Sequence, residues 1–235
     1  TYTGLATVSG GTYTASTATQ TFNGGLTVSG GTLTGSSGAI TSGTVTLSSG
    51  TLTAPSGAFT VTANWSQSGG TFTPGTNTVT LTGTSAQTLT SGGTSFYNLT
   101  QNGSGGTYTL QDALTATNNL TITAGTLDTK SGSNYAISVG GNWSNSGTFT
   151  ARTGTVTLNG TNQTISGPTT FNNLTKNVTS AATLTLPSGS TNTQTIAGTL
   201  NFSGTAGNLL SLRSNVSGTQ WRIDPQGTRT IEYLD

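Results

Sequence analysis

Few side chains of this 235-residue sequence could take part in acid–base or metal chemistry. The chain has no His and no Cys, and only 5% of its residues are charged. Ahead of Asp224 the only carboxylates are Asp112 and Asp128. Polysaccharide hydrolases and lyases use clustered carboxylates, for acid catalysis or for calcium. We therefore expect that this protein is not an enzyme and that it holds no cofactor and no metal.

One charged pair lies in the middle of the chain. Asp128 and Lys130 are two positions apart, so a strand would place both side chains on the same face. We expect a solvent-facing pair at a corner, without a chemical role.

The other charged residues gather at the C-terminal end. Six of the eleven charged residues lie among the last 23 positions: Arg213, Arg222, Asp224, Arg229, Glu232 and Asp235. A stack of repeats ends in unpaired strand edges, where charge discourages aggregation. We interpret residues 213–235 as a variant C-terminal coil or cap, or as the start of a following segment. Within this segment we take four residues as candidates for an end interface or cap: Arg222, Asp224, Arg229 and Glu232.

The three tryptophans are regularly spaced. Trp65, Trp143 and Trp221 follow one another at 78 residues. An exposed indole face can stack on a sugar ring or on a partner surface, so all three are candidate contact residues. The alternative is that each ring fills a widened part of the core or shields its edge. The preceding Asn64 and Asn142 are expected to form a ladder in the turns.

The elements that position these residues are predicted by a short repeat. The phrase Gly-Gly-Thr or Ser-Gly-Thr recurs at about 20-residue steps, beginning at Gly10, Gly30, Ser49 and Gly69. Alternating Thr and apolar residues precede each phrase, which is typical of half-buried strands. A unit of this size is stable only when neighbours cover it. We predict an all-β parallel β-helix, or β-solenoid, of about 20-residue coils with three short strands per coil. A tandem array of small β-sandwiches is the alternative.

A longer repeat overlies the short one. Residues 64–73 match 142–150, and further matches follow at an offset that falls from 78 to 75 residues. We interpret this as a duplicated block of about four coils. The predicted organisation is a continuous solenoid over 1–212, with long repeats at about 64–141 and 142–212, followed by the variant segment 213–235.

The T-x-T phrases suggest a second possible surface. Thr12/Thr14, Thr32/Thr34, Thr51/Thr53 and Thr71/Thr73 would form a flat array of hydroxyl and methyl groups if the coils stack in register. Such arrays resemble the ice-facing surfaces of solenoid antifreeze proteins. The alternative is that Thr is simply a favourable residue for an exposed strand.

Composition limits the partners and the location. A net charge of +1 provides no electrostatic footprint for nucleic acid or anionic lipid. No apolar run approaches the roughly 18 residues that would cross a bilayer, so membrane insertion is not expected. Abundant Thr, Ser, Gly and Asn with few Lys and Glu is typical of exported surface material.

These motifs together resemble a known group of proteins. Thr-rich alternating strands, Gly-Gly-Thr corners, the Asn-Trp-Ser phrases at Asn64 and Asn142 and the charge-poor, Cys-free composition are similar to β-helical repeat regions of large bacterial surface and secreted adhesin-like proteins. The resemblance implies a right-handed parallel β-helix, an extracellular or cell-surface location and a spacer or adhesive role. We expect a stalk, an adhesin-like rod or a filament subunit, with self-association or surface glycans as partners. Ice binding and Trp-based carbohydrate binding are the alternatives.

Overall fold

The strands dominate the architecture of the computed structural model, which describes residues 1–235. About 55% of residues are in strands, no α-helix is present, and the only helical element is the 3-10 turn Ser190–Asn192. The strands are, in chain order, β1 Ala6–Val8, β2 Thr12–Thr14, β3 Gln20–Phe22, β4 Leu26–Thr34, β5 Ile40–Ser42, β6 Val45–Thr53, β7 Phe59–Val61, β8 Trp65–Gln67, β9 Thr71–Thr73, β10 Thr78–Leu81, β11 Ala86–Thr90, β12 Asn98–Leu110, β13 Leu114–Ala116, β14 Leu120–Asp128, β15 Ile137–Val139, β16 Trp143–Asn145, β17 Thr148–Thr150, β18 Thr155–Leu158, β19 Gln163–Ser166, β20 Thr169–Phe171, β21 Asn173–Asn177, β22 Ala182–Leu186, β23 Gln194–Ile196, β24 Leu200–Ser203, β25 Leu210–Ser214, β26 Ile223–Pro225 and β27 Arg229–Glu232.

These strands form three parallel ladders, which we call faces 1, 2 and 3. Face 3 is the longest: β3, β5, β7, β10, the start of β12, the start of β14, β16, β19, β22 and β25 pair in succession. Ten stacked strands make about nine turns of about 21 residues each. At about 4.8 Å per step the ladder is roughly 45 Å long. The predicted all-β parallel solenoid with three strands per coil is confirmed.

Faces 1 and 2 are built from the remaining strands. Face 1 contains β1, the starts of β4 and β6, β8, β11 and the ends of β12 and β14, followed by β17, β20, β23 and β26. Face 2 contains β2, the ends of β4 and β6, and β9, and it continues through β13, β15, β18, β21, β24 and β27. The long strands β4, β6, β12 and β14 bend through a corner and therefore serve two faces.

The core is a single apolar column inside the three faces. Forty-two buried apolar residues form one continuous cluster from Ala15 to Leu210. In most strands the residues alternate between the buried column and the outer surface, as the period of two requires. Each coil is covered above and below by its neighbours, which is how a short repeat obtains a dry interior.

Glycine is required where the chain turns in the Ser-Gly-Thr corner. Gly50 has φ +77°, and a Cβ placed there would lie 2.1 Å from the carbonyl oxygen of Gly31 in the coil below. Any side chain would therefore combine an unfavourable backbone conformation with a clash against backbone. The recurring phrase marks a corner at which consecutive coils approach too closely for a Cβ.

Asparagines connect neighbouring coils at another set of corners. The N–H of Asn119 donates to Asn98 Oδ1 at 3.0 Å, the N–H of Asn142 to Asn119 Oδ1 at 2.8 Å, and the N–H of Thr164 to Asn142 Oδ1 at 2.8 Å. Asn64 Oδ1 accepts from the N–H of Thr88 at 2.8 Å. Asn142 therefore belongs to an Asn ladder, as expected, whereas Asn64 lies at a different corner and makes a separate contact of the same kind. Both satisfy backbone donors of the neighbouring coil.

The long repeat does not contain a whole number of coils. Trp65 pairs with Val45 and Leu89 on face 1, whereas Trp143 pairs with Leu120 and Ile165 on face 3. Three full turns and two further faces separate the two indoles along the chain. The expected block of about four coils is therefore slightly less than four whole coils, because 78 residues are fewer than four coils of about 21 residues. Equivalent residues of the two repeats lie on different faces.

The C-terminal segment continues the same ladders. Strand β26 pairs with β23, β27 pairs with β24, and Leu234 bridges to Leu210. Residues 213–235 thus form one more coil, of irregular composition. None of the helical structure is long or apolar enough to cross a bilayer.

Candidate functional site

Two of the three tryptophans are not available for surface contact. Trp65 and Trp143 are both 0% exposed. The ring of Trp65 packs edge-on against Phe72 and Phe96, with centroids 4.8 and 5.1 Å away. The ring of Trp143 packs against Phe149 at 4.9 Å. The candidate contact role is wrong for both, since each indole occupies an inward position of its strand and fills a widened part of the core.

Trp221 differs from the other two because it reaches the surface. It is half-buried: one part of the ring packs on the end of the core, and the residue also lines a surface cleft. It lies in the connection that precedes β26 and not within a regular strand of a parallel ladder. Trp221 is the predicted contact residue that keeps an exposed indole.

The corners around Trp221 are longer than their equivalents elsewhere. From face 3 to face 1 the chain uses two residues between β5 and β6, three between β7 and β8, and two between β19 and β20. The same connection uses seven residues at 187–193 and eight at 215–222. We call these two segments together the C-terminal lobe. Insertions on one side of a solenoid are often the place where a repeat protein binds its ligand.

Hydrogen bonds hold the two segments of the C-terminal lobe together. The N–H of Gly189 donates to the carbonyl of Gln220 at 3.0 Å, and the N–H of Ser188 donates to Asn215 Oδ1 at 2.8 Å. Ser188 and Trp221 also form an antiparallel bridge, in contrast to the parallel ladders. The lobe is therefore a defined structure that positions Trp221.

A cleft of about 480 Å³ opens beside the lobe and is lined by Thr193, Trp221, Arg222, Ile223 and Asp224. Asp224 Oδ2 accepts a hydrogen bond from Gln226 Nε2 at 3.1 Å, while the guanidinium of Arg222 has no hydrogen bond or ion pair within the chain. The cleft thus combines an indole, a carboxylate and a free guanidinium. This volume lies within the range of about 300–1,000 Å³ that is usual for small-molecule sites.

The structure divides the predicted end cluster between two faces. Arg222 and Asp224 lie on face 1 at the cleft, and Arg229 and Glu232 lie on face 2 in β27; all four are exposed, and none forms an ion pair. Arg229 is in register with the buried Leu200 of the coil below. Arg229 therefore places a charge at an inward position of β27.

The charged pair in the middle of the chain has a different partner from the expected one. Asp128 is only 9% exposed and forms a two-point contact with Arg152, at 2.9 Å to Nε and 2.8 Å to Nη2. Lys130 Nζ instead donates to Gln111 Oε1 at 2.6 Å. The expected solvent-facing Asp128–Lys130 pair is therefore wrong. Hydrogen bonding to Arg152 holds the pKa of Asp128 below its usual range.

A buried lysine is the main feature that the sequence reasoning missed. Lys176 is 0% exposed, and its Nζ donates to the carbonyl of Gly160 and to Gln163 Oε1, both at 2.7 Å. Burial lowers the pKa of Lys176 to about 8. Leu174 and Lys176 are two positions apart on one strand. Because Leu174 is apolar and expected to point inward, this spacing indicates that Lys176 points inward as well.

The T-x-T phrases form an ordered array on the first four coils. Thr12, Thr32, Thr51 and Thr71 pair in succession on face 2, and Thr14, Thr34, Thr53 and Thr73 pair beside them. A second set, which includes Thr107/Thr109 and Thr148/Thr150, lies on face 1 and is interrupted by Asp128. The two arrays do not form one plane because the long repeat is rotated by one face.

No group of three His, Cys, Asp or Glu side chains lies close enough together to hold a metal ion. Comparison of the chain with protein-family models, with curated proteins and with solved structures found no match. The fold and the site define a β-solenoid with a lobed C-terminal cleft.

Proposed function

We propose that this chain is a non-enzymatic structural element of an extracellular or cell-surface protein and that it acts as a stiff stalk. The observation that carries the proposal is the uninterrupted ladder of ten strands on face 3. In a parallel solenoid the inter-strand hydrogen bonds lie along the long axis, and every interior coil is held by two neighbours. Such a rod keeps a fixed distance between whatever is attached to its two ends.

The outer surface supports the same role. Threonines stand in single file along face 3: Thr21, Thr41, Thr60, Thr80, Thr100 and Thr121. Threonine tolerates the strand conformation and keeps its hydroxyl in water. With only 5% charged residues the surface is neutral and hydroxyl-rich, which suits a spacer that works outside the cell.

A filament subunit is the second form of the structural proposal. Tyr2 and Leu5 of the first coil are 50% and 63% exposed, and Ile231 and Tyr233 of the last coil are 50% and 52% exposed. Exposed apolar side chains at both ends of a ladder favour association between copies. The stalk remains the leading proposal, because Arg229 at the last strand opposes stacking there.

Electron microscopy of the purified chain, near neutral pH and without added ligand, tests both forms. The stalk predicts separate short rods roughly 45 Å long from the strand spacing. Continuous filaments would replace the stalk by the filament subunit. Round particles without a long axis would overturn both.

Ice binding is a separate candidate, favoured by the in-register array on face 2. Four rungs of paired threonines present hydroxyl and methyl groups at regular strand spacing. Such regularity is what a crystalline ligand would require. We expect thermal hysteresis that is lost in Thr51→Lys, at the centre of the array, and kept in Thr121→Lys on face 3. The absence of hysteresis in the unmodified chain would end this candidate.

A further inference from the structure

The cleft beside the C-terminal lobe has the features of a sugar-binding site. Sugar rings carry an apolar face of C–H groups and a rim of hydroxyls that both donate and accept hydrogen bonds. An indole with one exposed surface matches the apolar face. Trp221 provides such a surface, whereas Trp65 and Trp143 are fully buried.

The polar lining of the cleft matches the hydroxyl rim. Asp224 is an acceptor, of which only Oδ2 is engaged, by Gln226. Arg222 is a donor without a partner in the chain and lines the same cleft as Asp224. A carboxylate and a guanidinium can together contact neighbouring hydroxyls, and their charges offset each other. This favours a neutral sugar over an acidic one.

We propose that this cleft binds a neutral sugar ring of an extended glycan, with the ring stacked on Trp221, its hydroxyls donating to Asp224 and Arg222 donating to its oxygens. The two long corners, 187–193 and 215–222, supply the walls that the regular coils lack. A sugar-binding cleft gives the proposed stalk an adhesive point near one end. The proposal of sugar binding does not depend on whether the proposal of a stalk is correct.

Titration calorimetry of the full chain with cellotetraose, chitotetraose and maltotetraose tests the proposal. We expect saturable binding of at least one probe, and a loss of affinity of at least about tenfold in Trp221→Ala, as is usual for an aromatic anchor. Asp224→Asn keeps the shape of the cleft and removes the charge, so it should weaken the same probe even if Trp221→Ala perturbs the lobe. Tyr233→Ala is the matched control, because it removes an exposed aromatic ring of the same coil outside the cleft.

Tryptophan fluorescence gives a second measurement. Because Trp65 and Trp143 are buried, acrylamide should quench mainly Trp221, and a bound probe should protect that emission. Absence of saturable binding for all three probes would overturn the proposal. Binding that is unchanged in both Trp221→Ala and Asp224→Asn would overturn it equally, since the sugar would then lie elsewhere.

Discussion

Lys176 is the residue whose environment departs most from that of a typical surface lysine. It occupies an inward position of β21, and its ammonium contacts the carbonyl of Gly160 and the amide oxygen of Gln163. Both contacts are with neutral oxygens, and no carboxylate is paired with it. Burial without a counter-charge favours the neutral amine, which is why the pKa falls to about 8.

The lowered pKa of Lys176 predicts a free energy of unfolding that rises with pH. In the unfolded chain lysine titrates near about 10.4, so between about pH 8 and pH 10.4 the unfolded state binds more protons than the folded state. The free energy of unfolding should therefore increase by roughly 2 kcal/mol between pH 7 and pH 9.5. Lys176→Met, which keeps an unbranched side chain but removes the amine, should remove this increase. Urea unfolding of both proteins at the two pH values measures it, and an equal increase in both would contradict the assignment.

Much of the residue-scale picture is contained in the alternation of the sequence. Leu174 and Lys176, like Leu99 and Gln101 in the preceding repeat, share the inward side of a strand, and Gln101 is buried too. The same rule places Trp65 and Trp143 inside. The exposed position of Trp221 could not be predicted in this way, because it lies in a long corner where no alternation applies.

At the scale of the element, the corners control how closely the coils approach. Gly50 and Gly75 both have positive φ, +77° and +56°, but only Gly50 is in contact with the coil below. Gly75→Ala should therefore lower the free energy of unfolding by only about 1 kcal/mol, the cost of a positive φ for alanine. Gly50→Ala adds a Cβ 2.1 Å from the Gly31 oxygen, so it should lose at least about 3 kcal/mol of unfolding free energy.

Chemical denaturation of the two glycine variants beside the unmodified chain provides this comparison. Gly75→Ala serves as the matched control, since it introduces the same methyl group at a positive φ with open space around it. Equal losses in the two variants would show that close approach of the coils at Gly50 does not limit the side chain.

The sequence predicts that parallel strand ladders form, but it does not predict which face each strand occupies. The 20-residue phrase indicates stacked coils because an apolar strand must be covered by its equivalent in the next coil. The 78-residue repeat does not reveal which face each copy occupies, since the connections between separate strands vary from one to eight residues. Small changes in corner length accumulate and rotate the second repeat by one face relative to the first.

At the scale of the whole molecule, the solenoid joins a uniform rod to one irregular end. The interior is a mainly apolar column with a few buried polar side chains, and the outer faces carry neutral hydroxyls. The irregular corners, the exposed indole and an unpaired guanidinium occur together in the last coils. This division supports a spacer with a contact surface at one end. The short repeat predicted the rod, but the cleft depends on contacts between two unusually long corners of successive coils, which the repeat does not reveal.

Immunogold electron microscopy of intact cells that make the protein, with antibodies raised against this chain and without permeabilisation, tests the proposed extracellular structural role most directly. We expect gold on the outer surface or along material that extends from it. Gold that appears only after permeabilisation, within the cell interior, would contradict the account.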